Sequence, residues 1–491
     1  MKRCCLSLLL CVAFCAMPKA QTLFEGVNLS YQPIEGTARV MAMSGAFGAL
    51  GGDPSAIQIN PAGLGIYRSS EISFTLSDTY SKTRSNWGDV QKNKGENSFD
   101  FSRISYVQSF LSGRENGLIA SNFAISYNRS RSSLLRLGLT GNVGAMSFST
   151  VMAEMGKGIS ELDMITSSEK SPYDNEKVAW LPLMAYQTNL IEAKTGSSYR
   201  ALNEKTMVAP TYNALIRYAI DDINISYAAN INHLFYIGAD FSLKLYQRSE
   251  SSEYSEEFLL ENQIETSGVG FNFKVGLIAR PISFWRLGFA YHTPTFYHIS
   301  QTTKPVLNEL VSAVGTDSYR FSTPSRYLFS TAFLFGKKAA IDVEYEIADC
   351  QSMRFNSISQ TSKDNGNPFR NENLYIKNMA KVVHVVKVGA EYRPFEVLSF
   401  RIGGSYFSPT VKSEAEKIFP YNTIYTNMDY QIDKGSYYVC GGIGFRVKLW
   451  SFDFAYQFRQ QMSDFLVFNG AERAYVKSNY HKFLLTCAYR F

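Results

Sequence analysis

At 491 residues the chain has room for two or three soluble domains or for one large barrel. Its composition favours the barrel: 31 Tyr and 35 Phe help bring aromatics to 14%, while charged residues reach only 19%, below the ~25% usual in soluble domains. A mean hydropathy of −0.14 and the lack, beyond the N-terminus, of any apolar run near the ~18 residues a spanning helix needs exclude a helical membrane protein.

The first twenty residues read as a secretory signal: Lys2 and Arg3, an apolar core from Cys4 to Ala16, then a short polar stretch to Ala20, with cleavage expected before Gln21. Removing it takes away Lys2, Arg3 and Lys19, so the formal +6 less 3 leaves +3, too little to make nucleic acid a partner. Four of the seven cysteines leave with it. Cys350, Cys440 and Cys487 remain, an odd and widely spaced set that argues against a disulfide framework or a metal site, and no cofactor is expected. Gln21 to Glu35 is a short polar and aromatic lead, expected near the inner mouth of a barrel.

From Gly36 to Tyr67 about half the residues are Gly, Ala or Ser, far above the usual ~7% for Gly, so this backbone is suited to packing inside something. Asp53-Pro54 reads as an N-cap followed by Pro at the first helical position, starting a short turn through Ser55, Ala56 and Ile57. Asn60-Pro61 ends that turn, because the residue before Pro is pushed out of the helical region and the Asn side chain can bond its own backbone. The run from Ser44 to Ala56 followed by Asn60-Pro61-Ala62-Gly63-Leu64 resembles the N-terminal hatch of the FadL/TodX family of outer-membrane transporters for hydrophobic compounds. The resemblance implies a plug over residues 21–68, carrying the Asn60-Pro61-Ala62 motif, in the lumen of a barrel of about 14 strands over 69–491. It also implies a bacterial outer-membrane location.

From Glu71 the period becomes two. Ile72, Phe74 and Leu76 alternate with Ser73, Thr75 and Ser77, as a strand with lipid on one side and a wet lumen on the other requires. Ile223 to Ile231 and Phe235 to Leu245 repeat the pattern on either side of a turn at His233, which makes an antiparallel hairpin. Strands are expected at 70–81, 100–111, 117–128, 222–232, 234–248, 266–279, 285–296, 325–336, 339–350, 380–392, 398–408, 435–448, 450–461 and 479–491. The fold class is therefore all-β, a transmembrane antiparallel up-and-down barrel. Links alternate long and short, with 82–99, 129–221 and 249–265 long and 112–116 and His233 short, as outer loops and inner turns of such a barrel do. Asp240, Lys244, Lys274, Asp342, Glu344, Glu346, Asp453 and Arg459 fall on the lumen faces, where mixed charge suits a solvated interior that holds the plug.

Two similar segments, Arg286 to Thr295 and Arg401 to Thr410, carry Pro294 and Pro409, which should end strand pairing near the outer rim. The last strand places Phe483, Leu485, Cys487, Tyr489 and Phe491 on one face, and its terminal aromatic resembles the signal read by the barrel-assembly machinery. Closure of this strand onto the first would remove both exposed edges.

The segment 129–221 is too long for an ordinary loop. Ser149 to Met164 has helical spacing, and Trp180, Leu181, Leu183, Met184 and Tyr186 form an apolar patch. That patch is either a capture surface for a hydrophobic ligand at the outer mouth or a cap that packs on itself. No Gly-x-Ser-x-Gly, His-Glu-x-x-His or Gly-x-x-x-x-Gly-Lys-Ser/Thr motif occurs, and the five histidines are scattered, so no catalytic residue is assigned and no enzyme is expected. Two functions remain. One is a passive transporter of hydrophobic small molecules such as fatty acids or aromatic hydrocarbons, gated around Asn60, Pro61 and Ala62, with outer-membrane lipid around it. Fatty acids and aromatic hydrocarbons are the substrate classes that the resemblance implies, and no residue chooses between them; the alternative to the transporter is a barrel similar to the PorV-like branch, whose outer loops would dock protein partners of a secretion system.

Overall fold

The computed structural model describes residues 22–141, 147–165, 171–175, 177–194, 196–202, 209–358, 367–419 and 422–491; the signal segment lies outside them. Fourteen wall strands run β1 (Glu71–Trp87), β2 (Val90–Leu111), β3 (Leu118–Thr140), β4 (Thr211–Ile231), β5 (Phe235–Ser255), β6 (Leu259–Ile282) and β7 (Trp285–His292 with Phe296–Leu307). They continue as β8 (Gly315–Ser322 with Arg326–Phe335), β9 (Ala339–Asp349 with Arg354–Asn356), β10 (Val382–Phe395), β11 (Leu398–Phe407), β12 (Tyr430–Val447), β13 (Trp450–Leu466) and β14 (Ala474–Arg490). Each pairs antiparallel with its neighbours, and β1 closes on β14 from Glu71↔Arg490 to Asn86↔Tyr475. The ring therefore has no open edge along that seam.

The period of two explains the ring. On β6 the outward Val269, Phe271, Phe273, Val275 and Leu277 are exposed while Asn272 and Lys274 are buried, which is stable only if lipid covers the outer face. At the inner end of the β4–β5 hairpin Asn232 and His233 both take positive φ, 55° and 57°. That is the left-handed pair a tight two-residue turn needs to match strand twist.

Several strands are longer than expected. β1 and β2 pair through to Trp87↔Val90, and β5 and β6 to Ser255↔Leu259, so 82–99 and 249–265 are paired strand rather than loop. β3 and β4 likewise pair to Thr140↔Thr211, which shrinks the expected 129–221 excursion to 141–210. Above the membrane the outward residues become polar, as Lys82, Arg84, Gln247, Ser249 and Ser251 show, so the apolar alternation fades although the backbone ladder continues.

The proline expectation divides. β11 stops at Phe407, ahead of Pro409, as predicted. β7 breaks at Pro294 but resumes at Phe296, because its partner β8 breaks at the same level at Pro324: His292↔Arg326 and Phe296↔Ser322 flank both gaps. A break shared by neighbours keeps the pairing on either side.

Inside the ring lie α1 (Leu23–Ser30), α2 (Ala38–Ala42) and two 3-10 turns, Pro54–Gln58 and Pro61–Ile66. Asp53 caps the first turn as its sequence predicts, accepting from the amide of Ser55; Asn60 follows the end of that turn, and by accepting from the amide of Ala62 it also caps a second turn not expected from the sequence. The lead segment is not at the inner mouth. α1 packs against Phe321, Phe355, Tyr430 and Leu466, near the outer ends of their strands, and against Ile376 of α6 (Arg370–Met379). Its apolar residues Leu23, Phe24 and Leu29 find apolar partners there.

Candidate functional site

The plug rests in a seat made by the wall. Asn60 is 1% exposed. Its side-chain amide donates to the carbonyls of Gly48 at 2.8 Å and Leu277 at 3.2 Å, while its Oδ1 accepts from Ala62 N at 3.1 Å. One side chain thus ties the Asn60-Pro61-Ala62 turn both to the rest of the plug and to β6.

Opposite it, Gly238 of β5 and Gly276 of β6 face each other across the ladder. A Cβ on Gly276 would lie 1.9 Å from Asn60 Oδ1, and one on Gly238 would lie 2.4 Å from the Pro61 carbonyl. Only glycine leaves room for the motif. A second cross-strand pair, Gly389 and Gly403, accommodates Met43 in the same way, with Cβ positions 2.6 and 2.3 Å from its backbone.

Charged wall groups complete the seat. Asp342 accepts from the amides of Ala49 and Leu50 at 3.2 and 3.1 Å, Arg286 donates to Leu50 O at 2.6 Å, and His292 Nε2 donates to Ile59 O at 2.9 Å. Arg39 pairs with Glu391 at 2.9 Å and donates to Gly52 O. Burial works against the Arg39 charge, but Glu391 overcomes it and the guanidinium is held above its ordinary value. Glu35 meets Lys482 at 2.5 Å; burial still raises its carboxyl, with Lys482 pulling the other way. Each lumen charge expected from the sequence, from Asp240 to Asp453, is buried as predicted, and Arg459 reaches into the lumen.

Between the lead segment and the upper wall lies a cavity of about 160 Å³ whose lining includes Phe24, Tyr31, Arg131, Tyr218, Arg459 and Tyr480. The Arg131 guanidinium sits 4.0 Å over the Tyr218 ring and 5.2 Å from Tyr31. Arg459 sits 4.7 Å over Tyr480 and 5.0 Å over Tyr31. Arg131 also donates to Asn28 O at 2.6 Å. Neither guanidinium is in a salt bridge among the described residues; tyrosine faces hold both at a cavity that Glu35, Asp429 and Asp433 also line.

The outer patch takes the self-packing form. α5 (Trp180–Gln187) buries Trp180, Leu181, Leu183 and Met184, in clusters with α3 (Phe148–Met155), the upper wall residues Leu137, Leu139, Tyr212 and Phe465, and, for Trp180, Ile424 and Tyr425. Phe148 stacks on Phe468 with centroids 4.8 Å apart. Tyr186 is half-buried and donates to Glu161 at 2.6 Å. None of these five lines the cavity. Asn60, Pro61 and Ala62 are brought together with the wall; Arg459 was legible as a lumen charge, but nothing local in the sequence pairs it with Arg131, which lies on a strand far away in the chain. The glycine seat did leave one: Gly238 and Gly276 occupy inward positions in otherwise regular strands.

These features define a class: a plugged, fourteen-stranded barrel of the bacterial outer membrane. The fold is that of the FadL/TodX transporters. A FadL homologue from Pseudomonas aeruginosa superposes with a TM-score of 0.56 at 13% identity, over 94% of this chain and 100% of that one. The Pseudomonas putida toluene transporter TodX does so with a TM-score of 0.52 at 12% identity, over 94% and 99%. No family model and no curated sequence matches the chain.

Proposed function

We propose that this protein is a passive outer-membrane transporter for hydrophobic small molecules, and that its ligands are amphiphiles with an acidic head, of the fatty-acid kind, rather than bare hydrocarbons. The observation that carries the reading is the cavity above the plug, where Arg131 and Arg459 stand on tyrosine faces and neither is in a salt bridge among the described residues. An acidic headgroup can bond either guanidinium through a charge-assisted hydrogen bond, and the aromatic and aliphatic part of the lining receives its chain. TodX, which shares the fold, is a toluene transporter; a neutral hydrocarbon could offer the two guanidiniums at most a ring face and no charge-assisted hydrogen bond.

Passage inward requires the Asn60-Pro61-Ala62 turn to leave its seat. Ligand drives that shift only if it binds better to the displaced arrangement. The test has two arms. Purified protein is titrated with dodecanoate and with dodecanol, wild type against Arg459→Gln; the reading expects a preference for the acid of about tenfold, lost in the variant. Proteoliposomes then take up a labelled fatty acid, and Asn60→Ala should impair entry. Equal affinity for acid and alcohol overturns the headgroup assignment, and unchanged uptake by Asn60→Ala overturns the gate.

A further inference from the structure

The outward face of the β1–β14 seam gathers three cations above a single acid, Asp78, which lies opposite Phe483. Going up this seam, Phe74, Phe483 and Leu485 are exposed to lipid, then Tyr80 lies opposite His481 with ring centroids 6.3 Å apart. Directly above that aromatic pair come the exposed Lys82 and then Arg84, which stands opposite the half-buried Lys477. Amphipathic rings mark the level where hydrocarbon gives way to headgroups. At ~3.3 Å per residue and a strand tilt of ~40°, Lys82 stands ~5 Å and Arg84 ~10 Å above Tyr80. The headgroup layer is ~5–7 Å deep on each side of the hydrocarbon, so the three cations bracket its outer surface.

They are also unspent. Among the described residues none of the three makes an ion pair; Arg84 touches only Asn93, at 3.4 Å. The nearby Asp464 is already engaged by Lys434 at 2.5 Å and Arg473 at 3.6 Å. The β5–β6 hairpin instead carries acids above its lipid-facing Val269: Glu265, then Glu253 opposite Glu261.

We propose that Lys82, Arg84 and Lys477 form a binding site for the phosphate groups of an anionic glycolipid of the outer leaflet, with its acyl chains against Tyr80, Phe483 and Leu485. The site stands outside the barrel and does not depend on the transport reading. Each cation near a charged lipid surface accounts for about a fivefold change in binding.

Native mass spectrometry of the full-length mature protein, titrated with bis-phosphorylated lipid A and with its dephosphorylated form, tests it. Wild type should retain the phosphorylated lipid alone, and Lys82→Gln/Arg84→Gln/Lys477→Gln should lose about a hundredfold of that affinity, three such factors combined. Lys304→Gln, on the opposite flank, should change nothing. If the triple variant no longer shows heat-dependent gel mobility of a folded barrel, Arg84→Gln alone should still show about a fivefold loss. Equal retention by the variants, equal retention of the dephosphorylated lipid, or displacement by equimolar inorganic phosphate overturns the proposal.

Discussion

Two regions fill this lumen, and they do so by opposite chemistry. From Gly36 to Tyr67 the plug presents backbone amides and carbonyls to wall side chains that bond them, as Asp342, Arg286 and His292 do, over wall glycines that let the chain come close. From 141 to 210 the described part of the outer cap presents aliphatic and aromatic side chains to the upper wall, as Leu181 and Phe148 do. The polar seat is directional, and each of its bonds has a modest net worth of ~1 kcal/mol because displaced groups rebond to water. The apolar cap is non-directional and loses ~2–5 kcal/mol for each large core residue removed. The plug adds apolar contacts, such as Leu64 in a cluster with Val107 and Ala228, to its polar seat, whereas the cap is held mainly by buried apolar surface.

The contrast can be broken most severely at the seat. Gly276→Leu places a side chain where Asn60 Oδ1 now stands, 1.9 Å from the Cβ position. The plug turn should be expelled while the barrel remains folded, giving a steady ion conductance in planar bilayers that the wild type lacks. Next comes the cap: Leu181→Ala, at a fully buried position, should cost about 3 kcal/mol and make 141–210 sensitive to protease without changing the heat-dependent mobility of the barrel. Asn60→Ala is gentler. It removes three hydrogen bonds, for about 1–3 kcal/mol, and should speed amide exchange in 60–66 but not in the cap.

The smallest effect is one of pH. In the outer segment before β12, burial pushes the Asp429 carboxyl up to about 7, with the Glu250 carboxylate adding to the shift. An acid whose folded pKa lies above its unfolded ~3.9 is bound more tightly by its proton in the folded state. Its contribution to folding is therefore full below ~4, falls as pH rises toward 7, and is lost above that. Exchange in 409–419 and 422–429, corrected for intrinsic rate, should be slower at pH 5 than at pH 8, and Asp429→Asn should abolish the difference.

Local chemistry in the sequence determined much of this protein. A period of two and the aromatic content dictated a lipid-facing barrel, since one face of each strand had to be apolar. Asp53-Pro54 and Asn60-Pro61 dictated the start and the end of the first turn of the plug, because caps and prolines act on their own neighbours. The tertiary structure alone decided that α1 lies high in the lumen, where Phe321 and Tyr430 give it an apolar contact. It also decided that Trp180 and Leu181 are buried rather than offered to ligand, and that Arg131 of β3 and Arg459 of β13 meet over Tyr31. These pairings depend on the closure and stagger of the whole ring, which bring together residues hundreds of positions apart, and no short stretch of chain encodes that geometry.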